Sequence, residues 1–461
     1  MKRTRVAVAG LLVWGVCLLV PAIAHSQGEG QPLSVRRCGN INNAVLTMSV
    51  RTACAHVGFE DCAFVGLESK YLGSGLVHTE IEIKVGPSDY DRIIVHRIVA
   101  RDRTRFRCNA RYGVMLLPSD ILDFEQYFLP PACAESASDT PCFARFLALQ
   151  GIDVWGLDFR MASVPADTEE FDFMANWGFN AHLADTRLAL RVARNARAGT
   201  VMHPSARLDL LGAGRGVFLA FALAGEETQL AESDRSINAL IPAEGVFRWA
   251  SDQEQARDYS CVLENSDRNA YDQGRYQESY VSTREYGQAA LDDPHGQSSL
   301  NEDYTNREYA LVVGAKTYRG FEPVPKFHFL AGELDDEGTP THFLYADEER
   351  WFRALAAAIP FESTALYRDT ASIACGETDQ VWDDHLSEIA VPTLYVGAAG
   401  GYGDLGAYVT SELASTDVST LIIQHQTPEQ QVLDFGHLDF WFSDAAETEV
   451  WELLADWIKR H

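Results

Sequence analysis

Along most of the chain, short apolar runs alternate with longer segments whose apolar residues fall at helical spacing. Arg92–Val99 alternates apolar and polar positions, as a strand does when one face is covered. Tyr112–Leu117 (YGVMLL) and Ile152–Gly156 (IDVWG) are short continuous apolar runs, which predict strands buried on both faces. Phe143–Gln150 reads as a helix stopped by Gly151, and Asn180–Arg197 carries Leu183, Leu188, Leu190 and Ala193 along a helical repeat. A strand at Arg207–Leu211, a glycine turn, a helix at Val217–Leu223 and a strand at Ile237–Ile241 follow. The rhythm resumes with strand Thr393–Val396, helix Leu405–Ala414, strand Ser419–Gln424 and a last helix, Glu447–Arg460. Repeated strand–helix units with apolar strands predict an α/β fold: a mostly parallel, doubly wound sheet with helices on both faces.

Two regions break this rhythm. From His25 to about Ser88 the chain is rich in Gly, Asn and Cys, with strand-like pieces at Asn43–Val50 and His78–Val85. We read residues 25–88 as a cysteine-bearing N-terminal extension. Between the strand at Ile237–Ile241 and the one at Thr393 lie about 150 residues, too many for a loop without structure of its own. Residues 247–386 therefore form a mainly helical cap inserted into a core made of 89–246 and 387–461. The cap holds the helix-like Asp347–Ile359 and is rich in tyrosine, at 259, 271, 276, 280, 286, 304, 309 and 318 among others, read as packing of an amphipathic cap rather than as a ligand-facing wall.

Composition adds the compartment. Met1-Lys2-Arg3-Thr4-Arg5 is a basic start, the run to Val20 is apolar, and Ala22 and Ala24 place a cleavage site before His25. Residues 1–24 have the form of a secretory signal peptide, which predicts a secreted or periplasmic protein with no membrane span after cleavage. The formal net charge is −28, and loss of the basic signal makes it more negative. Such a chain repels nucleic acid and anionic membrane surfaces. Eight of the nine cysteines follow the signal: Cys38, Cys54, Cys62, Cys108, Cys133, Cys142, Cys261 and Cys375. An even number in an exported chain predicts disulfides. Cys133 and Cys142 flank a polar stretch and are expected to close a short loop. Cys54-Ala55-His56 with Cys62 matches no zinc-ligand spacing, so no metal is read from the sequence.

The candidate chemistry sits at Leu208–Gly225, LDLLGAGRGVFLAFALAG, the outline of a buried strand, a glycine-tight turn and an apolar helix. With three other segments it carries a resemblance. Gly151–Arg160 (GIDVWGLDFR), Leu210–Gly216 (LLGAGRG), Val391–Gly397 ending near Gly403-Asp404, and Phe435–Phe440 (FGHLDF) occur in the order of the strand after the first helix, the nucleophile elbow, the acid loop and the histidine loop. From about Asp91 to His461, apart from the cap, the chain resembles an α/β-hydrolase of the esterase/lipase type.

The resemblance implies a site at Gly214, Asp404 and His437, with Glu244 as the other position for the carboxylate. It also carries two departures. Gly214 stands where the family holds its serine, so no hydroxyl is offered. Leu117-Pro118-Ser119-Asp120 stands where the family carries His-Gly, so one oxyanion donor is lost and the backbone N–H of Arg215 is the one retained. Ser119 lies on that edge and is read as a turn serine. The chain is therefore expected to be a pseudoenzyme that binds a small apolar or ester-like molecule, or a partner, without cofactor. One alternative is a hydrolase or lyase using His437 as general base. The other is dinucleotide binding at Gly212–Gly216, with Asp234 as the ribose-binding acid, although Val217 replaces the third glycine of that fingerprint.

Overall fold

A computed structural model of the chain describes residues 34–57, 61–100, 110–119, 121–131, 142–200, 206–316 and 327–461. The signal segment, Cys108, Cys133 and Tyr318 lie outside the described residues.

Nine strands form the central sheet: β1 Cys62–Gly73, β2 Leu76–Val85, β3 Arg92–Ala100, β4 Tyr112–Leu117, β5 Ile152–Asp158, β6 Leu208–Ala213, β7 Ile237–Ala243, β8 Thr393–Ala398 and β9 Val418–Ile423. Their spatial order is β1-β2-β3-β5-β4-β6-β7-β8-β9. The β5-β4-β6-β7-β8-β9 segment is parallel throughout, and β1, β2 and β3 form an antiparallel meander that joins it through the β3–β5 pair.

Successive side chains of the inner strands enter two separate cores, as the pleat requires. Val114 and Leu116 of β4 face one side with α2 (Phe124–Phe128), α3 (Phe143–Leu149), α11 (Asp439–Phe442) and α12 (Glu452–Ile458). Met115 and Leu117 face the other with α1 (Ser34–Val57), α4 (Phe179–Thr200) and α5 (Gly216–Thr228). α5 is apolar all round and nearly every residue in it is buried, the pattern of a helix enclosed by sheet and neighbours.

The N-terminal extension contributes strands to the sheet. Its second half supplies β1 and β2. Asn43–Val50, expected as a strand, lies within α1: Leu46, Val50 and Ala53 are buried while Met48 is exposed, so the period is helical and not two. Leu405–Glu412 winds as a 3-10 helix, and the last helix begins with a π turn at Glu447–Trp451 before α12.

The cap is mainly helical, with α6 (Glu254–Asp272), α7 (Val281–Asp292), α8 (Asn306–Ala315), α9 (Glu348–Ala356) and α10 (Thr364–Cys375). A short ribbon pairs Phe361–Ser363 with Gln277–Ser279. A Cys261–Cys375 disulfide ties α6 to the end of α10, and Cys54–Cys62 ties α1 to β1. Cys142 is also disulfide-bonded, its expected partner Cys133 being outside the described residues. Several of the tyrosines pack on one another, Tyr271 on Tyr276 and Tyr286 on Tyr309. No helix among the described residues is long and apolar enough to cross a membrane.

Candidate active site

The site is built at the C-terminal ends of β4, β6, β7 and β8, where a parallel sheet opens to its loops. β6 runs into α5 through a single left-handed residue, Gly214, with φ of +49°. An L side chain there costs roughly 1–3 kcal/mol, and glycine has no such cost. The turn is tight enough that a Cβ on Gly212 would stand 2.2 Å from the Gly216 carbonyl oxygen.

The sequence signal for the histidine leads to a buried imidazole. His437 lies just before α11, only 2 % exposed, and its Nδ1 is 3.1 Å from Oε2 of Glu244. Glu244 follows β7 directly and is fully buried, with φ of +51°. Its carboxylate is fixed by the end of β8: Oε1 accepts the Ala398 N–H at 2.6 Å and Oε2 the Tyr402 N–H at 3.0 Å. Holding a glutamate in this conformation costs strain that its three contacts offset. Asp404, the first expectation for the acid, is exposed at the start of the 3-10 helix Leu405–Glu412. The carboxylate against the imidazole is Glu244, because the end of β7 brings a side chain under the histidine loop whereas the Asp404 turn points outward. Phe327, Phe329 and Tyr402 ring the imidazole at centroid distances of 5.1, 6.0 and 5.9 Å.

A side chain at position 214 would face this histidine. A Cβ built on Gly214 stands 3.5 Å from His437 Nε2, so strand, turn and histidine keep the relation a nucleophile needs. That same Cβ would lie 2.5 Å from Ser119 Oγ and 2.8 Å from Ser119 Cβ. Ser119, at the end of β4 and only 7 % exposed, fills the volume of the missing side chain. Its hydroxyl also accepts the Arg215 backbone N–H at 2.7 Å. The Arg215 N–H is thus committed to the protein's own oxygen. Ser119 does more than shape a turn, and nothing in the sequence around it marks these contacts.

The cap reaches this point through the Arg215 side chain. Its guanidinium donates to Glu362 Oε1 at 2.5 Å and lies over the Tyr367 ring, 4.3 Å from the centroid. Tyr367 donates to the other oxygen of Glu362 and shares a 2.6 Å hydrogen bond with Tyr280. Burial pushes the Tyr367 hydroxyl well above its ordinary pKa, so it stays protonated as a donor. Of the cap tyrosines named from sequence, Tyr280 belongs to this cluster; Glu362 and Tyr367 carry no local motif. Beneath it a narrow cavity is lined by Pro118, Leu122, Phe159, Met161, Leu219 and Ile359. Two titratable groups also reach it. His182 is held down to a pKa of about 4 by burial, and Asp123 is pushed up to about 8 by burial and then by the charge of Asp158.

Comparison with solved structures places this architecture. A candidate lipase of Sulfolobus solfataricus superposes with a TM-score of 0.59 at 18 % identity, over 87 % of this chain and 99 % of that one. The fold is that of the α/β-hydrolases. A soluble variant of monoglyceride lipase from Saccharomyces cerevisiae (TM-score 0.44, 11 % identity, 80 % of this chain and 92 % of that one) is also similar. So is a thermophilic esterase from Thermogutta terrifontis (0.39, 12 %, 83 % and 98 %). No family model and no curated protein matches the sequence.

Within an α/β-hydrolase fold the Gly212–Gly216 turn is the elbow between a central strand and its helix. The dinucleotide alternative does not fit this geometry. Asp234 sits in an exposed 3-10 turn before β7, at the opposite end of the strands from Gly214, whereas a ribose-binding acid follows its strand.

Proposed function

We propose that this protein is an exported, non-hydrolysing member of the α/β-hydrolase fold that binds a small apolar or ester-like molecule beneath its cap. One observation carries the reading: the Ser119 hydroxyl fills the space of the absent nucleophile and takes the Arg215 N–H that would otherwise face an oxyanion. Acyl transfer needs an attacking oxygen at the elbow and a free donor for the developing charge. Loss of one such donor alone lowers turnover on the order of 100- to 1,000-fold. The mostly apolar lining of the cavity, whose Arg215 and Glu362 are paired with each other, favours an uncharged ligand. The Cys54–Cys62 and Cys261–Cys375 disulfides agree with an oxidising compartment.

The experiment is an assay with short-chain nitrophenyl esters on three proteins. Wild type is expected at the uncatalysed background. Gly214→Ser alone is also expected to be inactive and less stable, because its new Cβ would collide with Ser119. The double variant Ser119→Gly with Gly214→Ser clears that collision, frees the Arg215 N–H and faces the new hydroxyl toward His437. It is expected to release nitrophenol in a burst and to accumulate an acyl adduct by mass spectrometry. Enzymatic turnover by wild type, or an acyl adduct on wild-type Ser119, overturns the reading.

The intact Glu244–His437 pair supports a second reading, in which His437 activates water as a general base. Wild-type turnover that disappears in His437→Ala while no acyl adduct forms would establish it.

A further inference from the structure

The β1–β3 meander carries a polar cluster that the Gly214 site does not use. Glu80 of β2 and His96 of β3 are direct cross-strand partners, and His78 lies two residues along β2 on the same face. Both imidazoles are buried, His78 fully and His96 to 2 % exposure. Asp158 at the end of β5 orients them. Its Oδ2 is 2.9 Å from His96 Nε2, and its Oδ1 accepts the Phe124 N–H at 2.7 Å. His96 Nδ1 is in turn 3.0 Å from His78 Nε2.

In the metal-binding state both rings are neutral, and because a carboxylate only accepts, the direction of this relay is then fixed. His96 donates from Nε2 to Asp158, and His78 donates from Nε2 to His96 Nδ1. His78 Nδ1 is then left as a bare lone pair. It is buried without a hydrogen-bond partner, and it faces Glu80 Oε1 and Glu125 Oε1 of α2, each 3.6 Å away. A lone pair aimed at two carboxylate oxygens is repulsive unless a cation sits among them. The Lys70 ammonium supplies one, 3.2 Å from Glu80 and 2.8 Å from Glu125, on a side chain that is 43 % exposed.

We propose that His78 Nδ1, Glu80 and Glu125 form a binding site for a divalent transition-metal ion, best matched by Zn2+, from which the Lys70 ammonium is displaced. Zinc holds imidazole nitrogen and carboxylate oxygen at about 2.0–2.2 Å, which places tetrahedral ligand atoms roughly 3.4 Å apart. The 3.6 Å separations from His78 are close to that spacing. The Asp158–His96–His78 relay is the outer support that fixes the tautomer and raises the basicity of a metal-binding histidine. A nitrogen ligand selects against magnesium and calcium. The three ligands come from β2 and α2, so a bound ion would brace the meander against α2.

The test uses untagged full chain titrated with Zn2+ by calorimetry at physiological ionic strength, with excess Mg2+ to occupy surface carboxylates. One saturable site is expected, with the tetrahedral d–d bands of Co2+ when that ion is used instead. Lys70→Met should tighten binding several-fold. His78→Gln and Glu125→Gln should each weaken it by at least about tenfold. Circular dichroism checks that each variant is folded, and Glu125, partly exposed, provides an arm that does not depend on burial of His78. Absence of saturable binding in both wild type and Lys70→Met overturns the proposal. Unchanged affinity in a folded Glu125→Gln variant also overturns it, since the ion would then lie elsewhere.

Discussion

Gly214 and Ser119 are one feature seen from two strands. Glycine at 214 removes the strain of the elbow, and the vacated volume admits a hydroxyl from the end of β4. Either residue read by itself is unremarkable; only the 2.5 Å from Ser119 Oγ to the point where a Cβ on residue 214 would stand shows that placing a serine there requires two changes. Asp123 behaves in the same local way. Its pKa is raised from 3.8 to about 8, chiefly by burial, so the folded state holds a proton that the unfolded state releases. Its contribution to stability is therefore complete below about pH 4 and is lost as pH rises to about 8. Asp123→Asn should flatten the fall in melting temperature across that interval. An unchanged slope in pH-dependent melting curves would count against protonated Asp123.

At the scale of elements, two fixtures hold the frame that presents the site. Asp153 of β5 receives Arg97 Nε and Nη2 at 2.9 Å each, and Arg197 of α4 at 3.2 Å, all fully or almost fully buried. Replacing Asp153 by Ala removes the carboxylate that two buried guanidiniums share. The expected loss is about 3–5 kcal/mol, read from the shift of a urea unfolding midpoint. The Cys261–Cys375 bond closes a loop across most of the cap. Changing both cysteines to Ala should lower stability by about 2–5 kcal/mol, with calorimetry showing whether the cap melts before the sheet. These elements were largely legible from pattern. The inner strands read correctly because runs such as IDVWG are buried on both faces, a constraint that needs no tertiary information. Asn43–Val50 misled because Leu46, Met48 and Val50 also satisfy a period of two; α4 and the sheet select the helix that buries Leu46, Val50 and Ala53 together.

Over the whole molecule the cap and the sheet meet at Arg215, whose backbone serves the elbow while its guanidinium holds Glu362 and Tyr367 of the cap. Glu362 is 2 % exposed, so its charge depends on that arginine. Glu362→Gln keeps the shape and removes the charge. Hydrogen exchange should quicken across residues 361–375 and stay unchanged in β4 to β6. Uniform protection in the variant would show that apolar packing, and not the ion pair, holds the cap down.

What the sequence settled by itself was periodic or compositional: the parallel sheet, the inserted helical segment, the glycine-tight turn between β6 and α5 and the histidine before the last helices. Each follows from neighbouring residues along the chain. The tertiary structure alone decided that Glu244 and not Asp404 meets His437, that Ser119 fills the gap at Gly214, and that Glu362 crosses from the cap to Arg215. These pairings join residues separated by 193, 95 and 147 positions. They depend on distances of a few ångströms between loops at strand ends, and no spacing along a single chain encodes such distances.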